Sequence, residues 1–327
     1  MKIISCQFSV CGICLAIFLS HFCFNGISFG TQCENDMGYT FVIPCSKKDL
    51  DKIDIVLNKL FENFQIKQIV VICPNGGGIN LDKVISVDED KLYNGLTLQR
   101  IKDICHTNNI SRSPNWYFQQ FLKMSYANVC VDDCYIVWDA DSIPLKHVEF
   151  RNSKTDKLKF FTTGEHYIPY FNTIDMLFEG NVSKCINKSF ISEAMIIDKK
   201  IMLELIRKIE NNHKICGHAF YEKILSCVRQ KTQAYSFSEY ETYGNFVLTY
   251  YPKRYEVLGA NRYRRANGIV NIHDDDELKW IAQSFDAISI EKWDKIKFKK
   301  KIAYLLSKFK FIRKHFTFKQ ILKFTRN

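Results

Sequence analysis

Proline and glycine are scarce in this chain of 327 residues, numbering 6 and 14. That excludes collagen-like repeats and Pro/Gly-rich low-complexity sequence. A phosphate-cradling glycine loop is also missing. Gly76-Gly77-Gly78 has no helix-opening Gly-x-x-Gly continuation, and no Lys-bearing loop replaces it. Among the 13 cysteines, Cys130 and Cys134 lack the second pair or nearby histidine that a tetrahedral zinc site needs. The odd number and irregular spacing argue against a disulfide framework and for reduced, mostly buried thiols, which favours a cytoplasmic face. Internal repeats are absent.

Charge is missing from one long stretch. Apart from His21, no side chain that carries charge near neutral pH stands between Lys2 and Glu34, and residues 3–29 are long enough to cross a bilayer as a helix. Lys2 before the run and Glu34 and Asp36 after it would put the body on the far side of a single-pass anchor. A cleaved signal and a mere extension before the folded domain are the other readings of residues 1–36. Acids are almost missing from the other end. From Lys292 to Asn327 thirteen Lys and Arg face one acid, Asp294, so residues 1–291 are nearly neutral although the whole chain carries +11. Phe298, Ile302, Leu305, Phe309, Ile312 and Phe316 recur at helical spacing between these cations. Residues 292–327 are therefore expected to form a basic amphipathic tail, either lying on an anionic membrane surface or packed on the body. Nucleic acid is not an expected partner, since nothing in the body continues the basic surface.

Residues 37–291 carry the folded domain. With 46% apolar residues the chain can bury a full core. Tyr39 to Pro44 reads as a buried strand, Lys48 to Phe64 as an amphipathic helix, and Gln68 to Cys73 as the next strand. A β-helix-β opening of this length implies parallel strands with a right-handed crossover, hence an α/β open sheet. Further strands are expected at Val84 to Val87, Tyr135 to Trp138, Lys159 to Thr162 and Ala194 to Ile197, with helices between them.

Asp139 and Asp141 follow the strongest of these strands. In open α/β sheets ligands gather beyond the carboxyl ends of strands. Residues i and i+2 leaving a strand point the same way, so both carboxylates could reach one Mg²⁺ or Mn²⁺ whose remaining ligands are diphosphate oxygens and water. The pattern recurs at Asp49-Leu50-Asp51, Asp88-Glu89-Asp90 and Asp274-Asp275-Asp276. Context singles out Asp139, which alone follows an unbroken run of strand formers. Arg112, Gln119, Gln120 and Lys123 lie in or just before the preceding helix, where they could meet a nucleotide, or simply a wet surface. Glu239 is a candidate general base. Glu241 could bind an acceptor hydroxyl or complete a capping box with Ser238. Glu165, His166 and Glu193 are candidate acceptor-side residues, and His273 is either a late metal ligand or a surface histidine.

The ordered set Trp116 to Lys123, Val137-Trp138-Asp139-Ala140-Asp141-Ser142-Ile143-Pro144-Leu145, Ser189 to Glu193, and Phe237 to Asn245 resembles a little-characterised, largely bacterial family of GT-A-like nucleotide-diphospho-sugar transferases over about residues 38–270. The resemblance implies a GT-A-like fold, a nucleotide-sugar donor and a DxD-bound metal. The expected activity is sugar transfer to a hydroxyl of a glycan or lipid-linked acceptor. A nucleotidyl or phosphoryl transferase, or a membrane-associated scaffold without catalysis, are the alternatives.

Overall fold

The structure is a computed structural model and describes residues 38–228, 236–267, 269–290, 302 and 305–324. The apolar segment at residues 1–36 lies outside the described residues. Among the described residues no helix is long and apolar enough to cross a membrane.

The chain opens with β1 (Tyr39–Pro44), α1 (Leu50–Asn63), β2 (Ile66–Cys73) and β3 (Val84–Asp88), then α2 (Leu98–Thr107), α3 (Pro114–Ser125) and β4 (Cys134–Trp138). Next come β5 (Ser142–Pro144), β6 (Leu158–Thr162), α4 (Ile168–Leu177), β7 (Ala194–Asp198), α5 (Lys199–Glu210) and α6 (Phe220–Val228). The last part of the body holds α7 (Glu239–Tyr250), β8 (Tyr255–Gly259), β9 (Arg262–Tyr263), α8 (Asp275–Ala282) and β10 (Ala287–Ser289). The main sheet has the order β3-β2-β1-β4-β7. All pairs are parallel except β4 with β7. The expected class, an open and mostly parallel α/β sheet flanked by helices, is what the chain adopts.

Burial explains this arrangement. Phe41, Val42 and Ile43 in β1, and Val71, Ile72 and Cys73 in β2, are all sealed from solvent, as strands covered on both faces must be. Helix α1 supplies one cover by burying Ile53, Val56, Leu57 and Leu60, one stripe at helical spacing. Gly38 precedes β1 where a Cβ would stand 2.6 Å from the backbone nitrogen of Lys67, so only glycine lets the two chains approach this closely.

Sheet order also fixes where a ligand belongs. The chain runs outward from β1 to β2 and β3, then returns to place β4 on the other side of β1. The carboxyl ends of β1 and β4 therefore flank the topological switch point, where the helices on the two sides part and leave a crevice. Two smaller sheets complete the body, β5-β10-β9 and β6-β8.

The basic tail departs from a single amphipathic stripe. Helix interrupts around Lys308 and Phe309 and again at Phe316 and Thr317, leaving short helices at Lys310–His315 and Phe318–Phe324; Phe298 lies outside the described residues. Phe318 and Ile321, outside the expected stripe, are the buried apolar side chains here. Phe318 packs edge-on against Tyr263, Trp280 and Phe285. Fully buried Glu277 receives Lys308 at 3.1 Å and Arg313 at 2.9 Å, which ties the tail to α8.

Candidate functional site

Asp139 and Asp141 stand where the switch point predicts, directly after β4. Strand alternation stops at Trp138, however. The amide of Ser142 donates to the carbonyl of Asp139 at 3.0 Å, so residues 139–142 form a turn, and this turn sets the relation between the two carboxylates. Neighbouring strands pin it. The Trp138 indole donates to the Ser142 carbonyl at 2.7 Å, the Ile290 amide donates to the Asp141 carbonyl at 2.9 Å, and the Asp139 amide donates to the Glu193 carbonyl at 3.0 Å.

Behind Asp139 lies a buried cation. Lys123, on the inner face of α3 and 4% exposed, donates to Asp139 Oδ1 at 2.6 Å, to Glu239 Oε1 at 2.7 Å and to the Tyr240 hydroxyl at 3.1 Å. All three ammonium protons are thereby satisfied. Burial works against the ammonium, but Asp139 and Glu239 more than offset it and hold Lys123 well above its ordinary pKa. Burial likewise pushes Glu239 up, against the opposing pull of Lys123. The Tyr240 hydroxyl also donates to Asp139 Oδ1, at 3.2 Å. Gln120 joins through its side-chain carbonyl, which accepts from the Glu239 amide at 3.0 Å.

A second charged group adjoins through Glu193, 3% exposed and held at a left-handed φ of 59°. Its carboxylate meets Arg264 Nε at 2.5 Å and Arg262 Nη1 at 3.9 Å. Arg264 also pairs with Glu165. Arg262 donates to the Ser192 carbonyl, and its guanidinium lies 5.3 Å from the Trp138 ring centroid.

Lys123, Asp139, Glu239 and Gln120 come together, and Glu193 and Glu165 adjoin them through the arginines. Glu239, the candidate base, is nearly buried and faces Lys123. Glu241 is also buried. Its amide completes the Ser238 cap at 3.3 Å, but its carboxylate accepts from Ser189 at 2.6 Å rather than returning to the Ser238 amide. The capping box is thus half formed. Arg112 and His166 are exposed. Arg112 stacks on Trp116 at 3.5 Å and bonds Tyr170, which lies close enough to Glu239 to feel its charge. His166 stacks on Phe171. Gln119 is half-buried, and His273 is exposed.

Of the rival acidic triplets, Asp49 and Asp274 occupy helix N-cap positions. Asp88-Glu89-Asp90 stands at the end of the edge strand β3, whose run is interrupted by Ser86, whereas Asp139 follows the unbroken run of β4. Asp88 there accepts from the Asp90 amide and pairs with Lys91. Tyr240, Arg262 and Arg264 were not singled out from the sequence. The i, i+2 argument that selected the two aspartates applies equally to Arg262 and Arg264, and was the signal available.

No three His, Cys, Asp or Glu side chains converge on a common point among the described residues. Asp139 and Asp141 are both partly open to solvent. Lys123 and Tyr240 engage Oδ1 of Asp139, and no described hydrogen bond uses Oδ2. Two partly exposed carboxylates on one turn fit a Mg²⁺ or Mn²⁺ whose other ligands come from a bound diphosphate and water.

Fold and site together define an α/β protein with an acidic turn at the switch point of an open sheet. The chain belongs to the family described as a family of unknown function (DUF6492), whose model matches residues 38–304. No curated protein matches it. Among solved structures it is similar to the bifunctional glycosyltransferase WbbM in its apo form, at 9% identity and TM-score 0.35, over 80% of this chain and 46% of that one. This chain thus spans about half the length of that protein. It is also similar to mouse xyloside xylosyltransferase 1, apo form, at 13% identity and TM-score 0.42, covering 79% of this chain and 99% of the other. A third likeness is to the galactosyltransferase LgtC in complex with donor and acceptor sugar analogs, at 12% identity and TM-score 0.35, covering 76% and 86%.

Proposed function

We propose that the protein is a GT-A-like glycosyltransferase that moves a sugar from a nucleoside diphosphate sugar to a hydroxyl of a glycan or lipid-linked acceptor. The observation that carries this reading is the placement of Asp139 and Asp141 on a pinned turn beside the switch point, backed by a buried lysine. A nucleotide laid across the carboxyl ends of β1 and β4 would bring its diphosphate to that turn. Mg²⁺ or Mn²⁺ bound there would neutralise charge building on the departing diphosphate.

The protein's own groups have distinct tasks. Lys123 offsets the charge of Asp139 and fixes its carboxylate. Glu239 holds Lys123 from behind, which supports a positioning role; acting as base would require an acceptor hydroxyl to reach a nearly buried carboxylate. Glu165 and Arg112, both exposed, border the site and are the better placed of the remaining candidates to meet an acceptor. An anionic membrane surface is the proposed partner of the tail, because Leu305, Phe309, Phe311 and Phe324 stay exposed beside Lys308, Lys310, Lys314, Lys319 and Lys323.

Asp141→Asn is the cleanest test, since Asp139→Asn also breaks the contact with Lys123. In titration calorimetry of the full chain against nucleoside diphosphates and their sugars, one nucleotude class should bind with Mn²⁺ present. Asp141→Asn should weaken that binding by at least tenfold with Tm unchanged. If the folded wild-type chain binds none of them with or without metal, the transferase reading fails. The bond broken in a turnover assay, sugar to phosphate or within the diphosphate, separates it from nucleotidyl transfer.

A further inference from the structure

We propose that Arg264 is a binding residue for a diphosphate group, poised by Glu193 and held in reserve by Glu165; the identity of the group rests on the transferase reading above. Arg262 and Arg264 are two residues apart on the run that begins with β9, so their side chains leave the same face, while Tyr263 between them faces the tail residue Phe318, 5.4 Å away. Both arginines converge on one carboxylate. Glu193 meets Arg264 Nε at 2.5 Å as a close ion contact and Arg262 Nη1 at 3.9 Å. One buried carboxylate thus faces two guanidiniums, and Glu165 supplies a second acid on the Arg264 side.

Burial divides the labour between the two arginines. The Arg262 side chain is 5% exposed and is fixed by the Ser192 carbonyl and the Trp138 ring. The Arg264 side chain is 33% exposed, and its outer contact is Glu165, itself 47% exposed. With Nε directed to Glu193 and Nη1 to Glu165, an oxyanion that displaced Glu165 would meet the same guanidinium. A half-exposed ion pair contributes little, so an incoming oxyanion can displace Glu165 at little cost. A guanidinium fork suits the paired oxygens of a phosphate. The place is right too, because the carbonyl of Glu193 receives the amide of Asp139. Two ligands share this chemistry: the diphosphate of the donor nucleotide, and the diphosphate of a lipid-linked acceptor.

The test is calorimetry on the full chain with three probes, inorganic pyrophosphate, a panel of nucleoside diphosphates and a short prenyl diphosphate, each with and without Mn²⁺. Arg264→Gln should weaken pyrophosphate binding tenfold or more. Glu165→Gln, a surface change that leaves the fold intact, should tighten it severalfold, which a merely structural salt bridge would not do. Whichever of the nucleotide and the prenyl diphosphate loses affinity in Arg264→Gln identifies the source of the group. Binding unchanged in both variants overturns the inference. If a nucleoside diphosphate still binds and only Asp141→Asn weakens it, this inference fails and the transferase reading stands. If the wild-type chain binds none of the three probes, both fall.

Discussion

Lys123 shows how one residue can set the character of a site. Its ammonium, itself buried, faces Asp139 and Glu239 at 2.6 and 2.7 Å. Removing one partner of a buried ion group leaves the others uncompensated, at a cost of about 3 to 5 kcal/mol. Lys123→Met should therefore lower the unfolding free energy by about that amount in urea melts, and adding Glu239→Gln should restore part of it. No loss of stability in the single variant would show that water reaches the cluster.

Glu89 makes the opposite kind of residue-scale case. Burial first, then the charges of Asp90 and Asp88, push its carboxyl from an ordinary 4.5 up to about 7, with Lys102 opposing. A raised folded-state value means that its contribution to stability is present below about pH 4.5 and is lost as pH rises through about 7. Full conversion would give roughly 3 kcal/mol, and screening of this half-exposed group reduces that to about 1 kcal/mol. Glu89→Gln should thus match the wild type at pH 4 and gain about 1 kcal/mol by pH 8. An advantage independent of pH would refute the assignment.

At the scale of elements, α7 is placed by a glycine as much as by its cap. A Cβ on Gly244 would lie 2.3 Å from the Phe190 ring, which is fully buried and packs on Phe160 at 5.1 Å between centroids. Alanine would gain about 1 kcal/mol in helix propensity, but overpacking costs about 1 to 3 kcal/mol. Gly244→Ala is expected to be destabilising by up to about 2 kcal/mol, and because Glu239 and Tyr240 open the same helix, Lys123 would shift with it. An unchanged or higher denaturation midpoint would count against this packing.

Elements were unevenly legible. Tyr39 to Pro44 and Ala194 to Ile197 are uniform apolar runs, and both appear as strands at the expected places. Helix α4 and strands β8 and β9 were not foreseen, because Ile168 to Leu177 carries little amphipathic pattern and the short run Arg262-Tyr263 is strand only through its pairing with β10. The tail shows the limit of periodicity most clearly. Spacing from Phe298 to Phe316 described one stripe, yet Phe318 and Ile321 are the residues that bury, with Phe318 taken up by the aromatic slot of Tyr263, Trp280 and Phe285.

For the whole molecule, charge separation is the main expectation. A nearly neutral body joined to a tail of thirteen cations and one acid should bind vesicles containing anionic lipid and release them as salt rises. Replacing Phe309 and Phe311, 61% and 70% exposed, by serine should weaken co-sedimentation severalfold without altering Tm. Equal binding to neutral vesicles would argue against an electrostatic role for the tail.

The sequence by itself determined the sheet class, the position of Asp139 and Asp141 after a buried strand, and the segregation of charge, since these follow from hydrophobic period, strand length and composition. Only the tertiary structure decided that Lys123 neutralises Asp139, that Glu239 stands behind that lysine, and that Arg262 and Arg264 reach Glu193. Those contacts join residues 16, 116 and about 70 positions apart. Spacing along a chain fixes which side chains share a face of one element, whereas the packing of separate elements decides which faces meet.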